Sequence, residues 1–530
     1  MTQTLKQVVS KRQFALNVAM NWTYLASNVV AQLVLAPFLI ERLHQARYGV
    51  WATIGSLLNY LMLLDLGVTS AVNRFVARYR MLDDHQRMNQ VVSGAAAIFA
   101  VVALTLAAAS LLIAKPFLAF FPLIPPEARA ESALALQLVC VGAGVRLLHV
   151  PFLGLFQGWQ LHAINNAVLI AMVVIRLGLT IGLCIGWRAT VDVPALTFVI
   201  ASAVGLLSHV VISRWRFPWL RFWPTHTSAA AVRELMGLGS HVFLIAIGGM
   251  TIYQGSNFIL TRMVGPEAVT PFSLGMLVIV TCQQALDGIS TLFTPLISSM
   301  EAASPSRSLG PMIVRGCQVL GVLAWGICMA LLVAGKPFMH LWLVPRTSSD
   351  EIALTQALRT AGEAYVVLAI LLGAMCVTWP NMAIHNALLG VNRAGWLAIG
   401  YIAAAVGIVF TVVILVRSTG LAGVAAAAGI AGPFLLLQLF WLPSLLRRFF
   451  QEPLGPFAWR AHLRPMLVAA AVGLPALWIR EHLAIDSWFS LVVFCAAMCA
   501  AYAAAAFWIS VDSATRGMLL GALRPGAVRS

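Results

Sequence analysis

Runs of about twenty apolar residues recur along the whole chain, separated by short polar or charged breaks. Each run is long enough to cross a hydrocarbon core of about 30 Å as a helix. None alternates apolar with polar positions as a barrel strand does, and lipid offers no partner to a free backbone group, so the runs predict helices. Fourteen spans are expected: Val18–Ile40, Gly49–Val72, Gln90–Ala114, Ser132–Leu155, Asn165–Trp187, Pro194–Ser213 and Leu238–Leu260, then Pro271–Ser299, Met312–Ala334, Ala364–Leu389, Gly395–Val416, Leu421–Leu446, Pro465–Trp478 and Ser487–Ser510. The thirteenth is the shortest. The fold class is an all-α polytopic membrane protein.

The breaks give the spans an order. The stretch Arg214–Gly237, with Pro218, Pro224 and Thr225–Ser228, follows six spans and reads as a linker. Six is even, so a second six-span unit would enter the membrane in the same orientation. A faint repeat agrees: Phe38–Leu43 closes the first span as Phe258–Met263 closes the seventh, and Leu64-Asp65-Leu66-Gly67 is matched by Leu286-Asp287-Gly288. Two parallel six-span lobes are a common transporter plan, with the substrate site between them. The expected division is 1–227, 228–450, and 451–530 for two further spans and a tail. Gly335–Glu363 is the longest expected outer loop of the first twelve spans.

Composition sharpens the picture. The chain is 61% hydrophobic and only 10% charged, against about 25% charged for a soluble globular chain. So few charges cannot cover a soluble body of 530 residues. The formal net charge of +16 would suggest nucleic acid in a soluble protein, but no basic cluster sits on a soluble domain. Basic residues instead mark cytoplasmic segments and anionic lipid. Of the 34 Lys and Arg, 21 fall on the segments that share a side with the N-terminus, starting with Lys6, and 11 on the opposite side, which predicts both termini in the cytoplasm. Arg146 and Arg176 lie within spans. The eight cysteines fall in or beside apolar runs without Cys-x-x-Cys spacing, so neither a metal site nor a disulfide framework is expected. Lys6, Lys11 and Arg12 precede a full-length first span, which reads as uncleaved.

Residues 33–78 carry a resemblance. Pro37 sits late in the first span, Tyr48, Gly49 and Trp51 follow it, Leu64-Asp65-Leu66-Gly67 ends the second, and Arg74, Phe75 and Ala77 come next. Further on stand Phe156-Gln157-Gly158-Trp159-Gln160, Pro295, Leu389-Gly390-Val391-Asn392-Arg393 and Gly420-Leu421-Ala422-Gly423-Val424-Ala425. In order and spacing this resembles the polysaccharide-exporter (O-antigen flippase) family of the multidrug/oligosaccharidyl-lipid/polysaccharide exporter superfamily. The resemblance implies two six-span lobes around a central cavity, plus two C-terminal spans. It implies a bacterial inner-membrane flippase for an undecaprenyl-pyrophosphate-linked oligosaccharide, serving cell-surface polysaccharide such as lipopolysaccharide or exopolysaccharide. It implies no cofactor and no catalytic residue, and it leaves open a partnership with polysaccharide polymerase machinery.

Given that cargo, the intramembrane charges become candidates. Arginine stays charged and offers a planar donor fork, which suits a pyrophosphate. Arg146, His149 on the same helix face, and Arg176 near mid-span are expected to contact the anionic headgroup. Alternatively, each arginine ties helices together through carbonyls or a carboxylate, and His149 is a packing residue. Asp65 and Asp287 can bind a cation or a proton to couple ion flow to transport, or can serve as salt-bridge or helix-end partners. Asn28 and Gln32 in the first span, Asn257 in the seventh, and Asn381 and His385 after Pro380 in the tenth are expected to offer polar groups to sugars, or else to bond between helices. Two function classes compete. One is another transporter of this fold, for lipid II or for cationic drugs. The other is a membrane glycosyltransferase or polymerase, for which Asp350 and Glu351 on the longest outer loop supply no catalytic signature.

Overall fold

The computed structural model describes residues 11–221, 240–291, 293–303, 309–345, 351–483 and 485–510. Among them are thirteen helices long and apolar enough to cross a membrane. The first, Ala15–Met81, holds two crossings, divided at His44, whose φ of 64° leaves the helical region. The fourteen expected spans are thus all present in an all-α, multi-pass membrane protein. Lys6, Thr225–Ser228, Arg233, Arg307 and the tail from Arg516 to Arg529 lie outside the described residues.

Two elements differ from expectation. The segment 335–363, expected as an outer loop, is mostly helix among its described residues, since Gly310–Leu343 and Glu351–Thr378 both run into it. The thirteenth span is not short but runs Leu454–His482. Arg460, His462, Arg464 and Pro465 read as a loop in sequence, yet the helix passes through them by widening to a π-turn at Trp459–Leu463. The same device occurs at Leu437–Trp441, just before Pro443. A proline ring collides with the carbonyl four residues back, and a wide turn moves that carbonyl aside.

Four spans are broken, and the breaks share a pattern. The second span passes through the 3-10 turn Leu63–Asp65, then Leu66 and Gly67 at φ 49° and 79°, into Val68–Met81. Glycine is the residue that takes this left-handed turn without cost. The eighth breaks between Pro266–Ser290 and Phe293–Ala303. The fourth breaks between Pro126–Leu147 and Val150–Gly158, and the tenth between Glu351–Thr378 and Met382–Gly390. Pro151, Pro295 and Pro380 stand at or just after three of these breaks, where the missing N–H costs least. The short second pieces pair up. Gly154 and Gly158 let Val150–Gly158 lie against Val72 and Val76, where an added Cβ would stand 2.6 to 2.8 Å from those side chains. In the other pair, Thr294 Oγ1 donates to Asn386 Oδ1 at 3.2 Å and Ser298 Oγ to the Gly390 carbonyl at 3.0 Å. Both pairs end on a non-glycine residue at positive φ, Gln160 at 59° and Asn392 at 56°.

By compactness the chain divides into two units, Met1–Met250 with Asn257–Thr270, and Thr251–Ser256 with Pro271–Ser530. The first unit takes residues beyond the 214–237 segment for a local reason. Asn257 Nδ2 donates to Ser56 Oγ at 2.7 Å, the Thr53 and Thr261 hydroxyls stand 2.6 Å apart, and Thr270 Oγ1 donates to the Gln45 carbonyl at 2.7 Å. In the second unit the last two spans are tied in by Arg480 Nη1 to the Val333 carbonyl at 3.0 Å and Tyr502 to the Val322 carbonyl at 2.7 Å.

Candidate functional site

In the first unit two candidate site residues are arginines within spans. Arg176 stands midway along His162–Gly186. Its guanidinium carbon lies 5.5 Å from the Phe198 ring centre and 5.9 Å from that of Trp51. Its Nε is buried and makes no hydrogen bond. Arg146, in the last turn of Pro126–Leu147, also has no ion pair among the described residues. Three of the unit's carboxylates pair with other arginines: Glu131 with Arg47, Asp192 with Arg188, and Asp84 with Arg87. A charge at mid-membrane costs roughly 2.5–3.5 kcal/mol on insertion scales. Cation–π contacts return about 0.5–2 kcal/mol each. Arg176 is therefore packed against aromatic faces, and its buried Nε has no hydrogen-bond partner among the described residues.

His149 does not share that freedom. It sits at the break of the fourth span, fully buried. Its Nε2 is 2.9 Å from the Ser202 carbonyl, and its Nδ1 is 3.2 Å from Nδ1 of His209. The other His209 nitrogen is 3.2 Å from Asn165 Oδ1, and Asn165 Nδ2 donates to the Leu153 carbonyl at 3.2 Å. The result is a closed polar chain joining the fourth, fifth and sixth spans. His209, Asn165 and Ser202 carried no warning in the sequence, because single polar residues in apolar helices look alike until a partner is known.

The two repeat-related aspartates have different surroundings. The Asp65 carboxylate accepts from both N and Oγ1 of Thr69, each at 3.1 Å, and so caps the second piece of its span. Asp287 has a threonine at the same spacing, but Thr291 Oγ1 donates to the Asp287 backbone carbonyl at 2.9 Å instead. The Asp287 carboxylate accepts one long bond, 3.5 Å, from Gln283 Nε2.

The remaining candidates are dispersed. Asn28 Nδ2 donates to the Tyr24 carbonyl within its own helix at 3.1 Å, and Gln32 is half-buried on the same span. Asn257 is buried against Ser56, with its Oδ1 unpaired. Asn381 is 1% exposed, so no open cavity reaches it; Nδ2 donates to the Gln438 carbonyl at 2.8 Å, and Oδ1 is 3.1 Å from His462 Nε2. Gln438 and His462 come from the two π-turns, a pairing invisible in sequence. His385 lies 3.3 Å from the Tyr401 hydroxyl. Among the described residues no group of three or more His, Cys, Asp or Glu is placed to hold a metal ion. An apolar groove of about 760 Å³ between the last two spans, lined by Pro475, Ile479, Phe489 and Val493, offers only Ser490 as a polar side chain and suits no charged headgroup.

Over 92% of this chain and 98% of the other, the fold superposes on a lipid II flippase MurJ in an inward closed conformation, at TM-score 0.64 and 10% identity. An inward-facing multidrug resistance MATE family transporter matches at TM-score 0.59 and 15% identity, over 79% of this chain and 99% of that one. A transporter of the same superfamily from Pyrococcus furiosus matches at TM-score 0.59 and 13% identity, over 85% and 97%. At such identities the likeness concerns the fold. No curated protein matches this chain. The model of one family, described as polysaccharide biosynthesis protein, matches residues 17–301, more than half of the sequence. The chain belongs to the polysaccharide biosynthesis protein family, on the fold of the multidrug/oligosaccharidyl-lipid/polysaccharide exporter superfamily.

Proposed function

We propose that the protein is a flippase that moves an undecaprenyl-pyrophosphate-linked oligosaccharide across the bacterial inner membrane by alternating access, for cell-surface polysaccharide biosynthesis. The observation that carries this reading is Arg176, set between Trp51 and Phe198 without a carboxylate partner among the described residues. An uncompensated guanidinium inside a membrane span favours an anionic cargo, and its fork matches a phosphate bidentately. Arg146 supplies a second unpaired positive charge in the same unit. A cationic drug would be repelled by this pair. The membership of the family supports polysaccharide precursors as the cargo class. In this reading both termini are cytoplasmic, the long lipid tail stays in the bilayer, and the protein transfers no glycan itself.

The test is reconstitution. Purified protein in liposomes should carry a fluorescent polyprenyl-diphosphate glycan from one leaflet to the other, scored by access of an external glycan-modifying enzyme. Movement of a cationic dye without movement of the glycolipid would replace this reading with a drug antiporter. Transfer of glycan to an acceptor by the purified protein would replace it with an enzyme.

A further inference from the structure

The second unit contains a polar constellation that pyrophosphate binding leaves unused. Four spans contribute to it: Tyr253 from the seventh, Gln283 and Asp287 from the eighth, Trp379 and His385 from the two sides of the break in the tenth, and Tyr401 from the eleventh. Trp379, wholly buried, donates its Nε1 hydrogen to Gln283 Oε1 at 2.6 Å, and the Tyr253 hydroxyl reaches the same oxygen at 3.5 Å. Gln283 is thereby oriented with Nε2 toward Asp287. Tyr401 and His385 form a second pair, hydroxyl to Nδ1 at 3.3 Å with the rings edge to face. Gln283 Nε2 also reaches Met382 Sδ at 3.9 Å, on the helix turn that carries His385, which sets the second pair beside the first.

The Asp287 carboxylate is incompletely satisfied. A carboxylate offers about four acceptor positions, and here one is used, at the limit of hydrogen-bond length. Asp65 shows how this fold satisfies a structural aspartate, through the threonine four residues on; in the second unit that threonine is turned away. The surroundings then select the ligand. A metal ion would need further anionic or imidazole ligands, and no such group is assembled among the described residues. The chemistry of the set matches a hydroxyl-bearing ring: a carboxylate can accept two neighbouring hydroxyls, tyrosine hydroxyls and an imidazole nitrogen can exchange further hydrogen bonds, and tyrosine rings can cover an apolar C–H face. We propose that Asp287, Tyr401, Tyr253 and His385 form a carbohydrate subsite, which takes a sugar ring of the lipid-linked cargo and makes the second unit the reader of glycan identity. This rests on the flippase reading above.

The experiment uses the full chain in nanodiscs and two probes, a polyprenyl diphosphate without sugar and the same lipid carrying a disaccharide. Affinity is read by native mass spectrometry for wild type, Asp287→Asn, Tyr401→Phe and Arg176→Ala. Asp287→Asn keeps the shape of the side chain, and its thermal melt confirms folding. It should weaken the glycolipid about tenfold, the loss expected for hydrogen bonds to a charged group, and leave the sugar-free lipid unchanged. Tyr401→Phe should do the same to a smaller extent, while Arg176→Ala weakens both probes alike. Equal loss on both probes in Asp287→Asn, or no loss on either, overturns the subsite. Unchanged binding with transport that no longer responds to a proton or sodium gradient reassigns Asp287 to ion coupling and also overturns it. Failure of both probes to bind wild type removes the flippase reading itself.

Discussion

The two units of this protein share a plan and differ in what they put inside it. In each, the second and fourth spans are broken and the short second pieces pair. In each, a residue at the break of the fourth span is bonded to the sixth: His149 to Ser202 and His209, Asn381 to Gln438. The unpaired charges do not follow the repeat. The first unit holds Arg146 and Arg176 and spends Asp65 on a helix cap; the second holds an under-satisfied Asp287 among tyrosines. Backbone breaks recur because the helices must pack the same way in both units. Charges are costly in either one, so a charge retained without a partner marks a candidate for ligand contact.

The largest effect that would sharpen this contrast is electrical. If the basic unit serves a pyrophosphate of about two negative charges, an inside-negative potential drives export by roughly 2.3 kcal/mol per charge per 100 mV, or about 4–5 kcal/mol in all. Collapsing the potential in loaded vesicles should lower the final glycolipid asymmetry by up to about a thousandfold. Indifference to the potential would mean that the cargo charge is neutralised during transport.

Next comes Arg176. Replacing it with alanine removes a charge-assisted contact worth about 1.5–3 kcal/mol, so transport should fall roughly 10- to 100-fold with folded protein retained. Arg176→Lys should keep part of the activity, because it keeps the charge and loses the fork. Loss of folded protein in detergent, with transport falling only in proportion, would make Arg176 a structural residue and dissolve the contrast.

The polar knots should behave differently from the charges. His209→Leu leaves His149 Nδ1 and Asn165 without their partner, which should cost about 1–3 kcal/mol of stability. The thermal midpoint of purified protein would show it, with glycolipid affinity per folded molecule unchanged. A selective affinity loss would move the imidazole pair from architecture to binding.

The smallest effect separates the aspartates. Asp65→Ala should lower stability by about 1 kcal/mol, as expected for loss of a cap, whereas Asp287→Asn should leave the melt unchanged. The opposite pattern would exchange their roles.

Much of this arrangement was legible in advance. The spans follow from the length of the apolar runs, and even the π-turns sit beside prolines that are visible in the sequence. The thirteenth span was underestimated because a basic, proline-containing stretch resembles a loop until tertiary contacts hold it helical. Arg146, Arg176, Asp65 and Asp287 stood out because charge is rare in such runs. Their separate roles did not, because Asp65 and Asp287 each have a threonine four residues on and differ only in which oxygen that threonine bonds. Tyr253, Trp379 and Tyr401 could not be told from the aromatics that line membrane interfaces.

The sequence by itself determined that this chain spans the membrane as fourteen helices, that a short motif recurs near the start of each half, and that Asp65, Arg146, Arg176 and Asp287 lie well inside the spans. Those outcomes depend on local quantities: transfer of apolar side chains, satisfaction of backbone groups within one helix, and the cost of each isolated charge. Only the tertiary structure decided which charges are compensated. A carboxylate four residues from a threonine can cap a helix or stay open, and an arginine can pair with an acid or lie between two aromatic rings. The choice is made by groups far away in sequence, Trp51 and Phe198 for Arg176, Trp379 for the glutamine that faces Asp287. A hydrogen bond or a ring contact forms within a few ångströms, and no span in isolation specifies which neighbour will stand there.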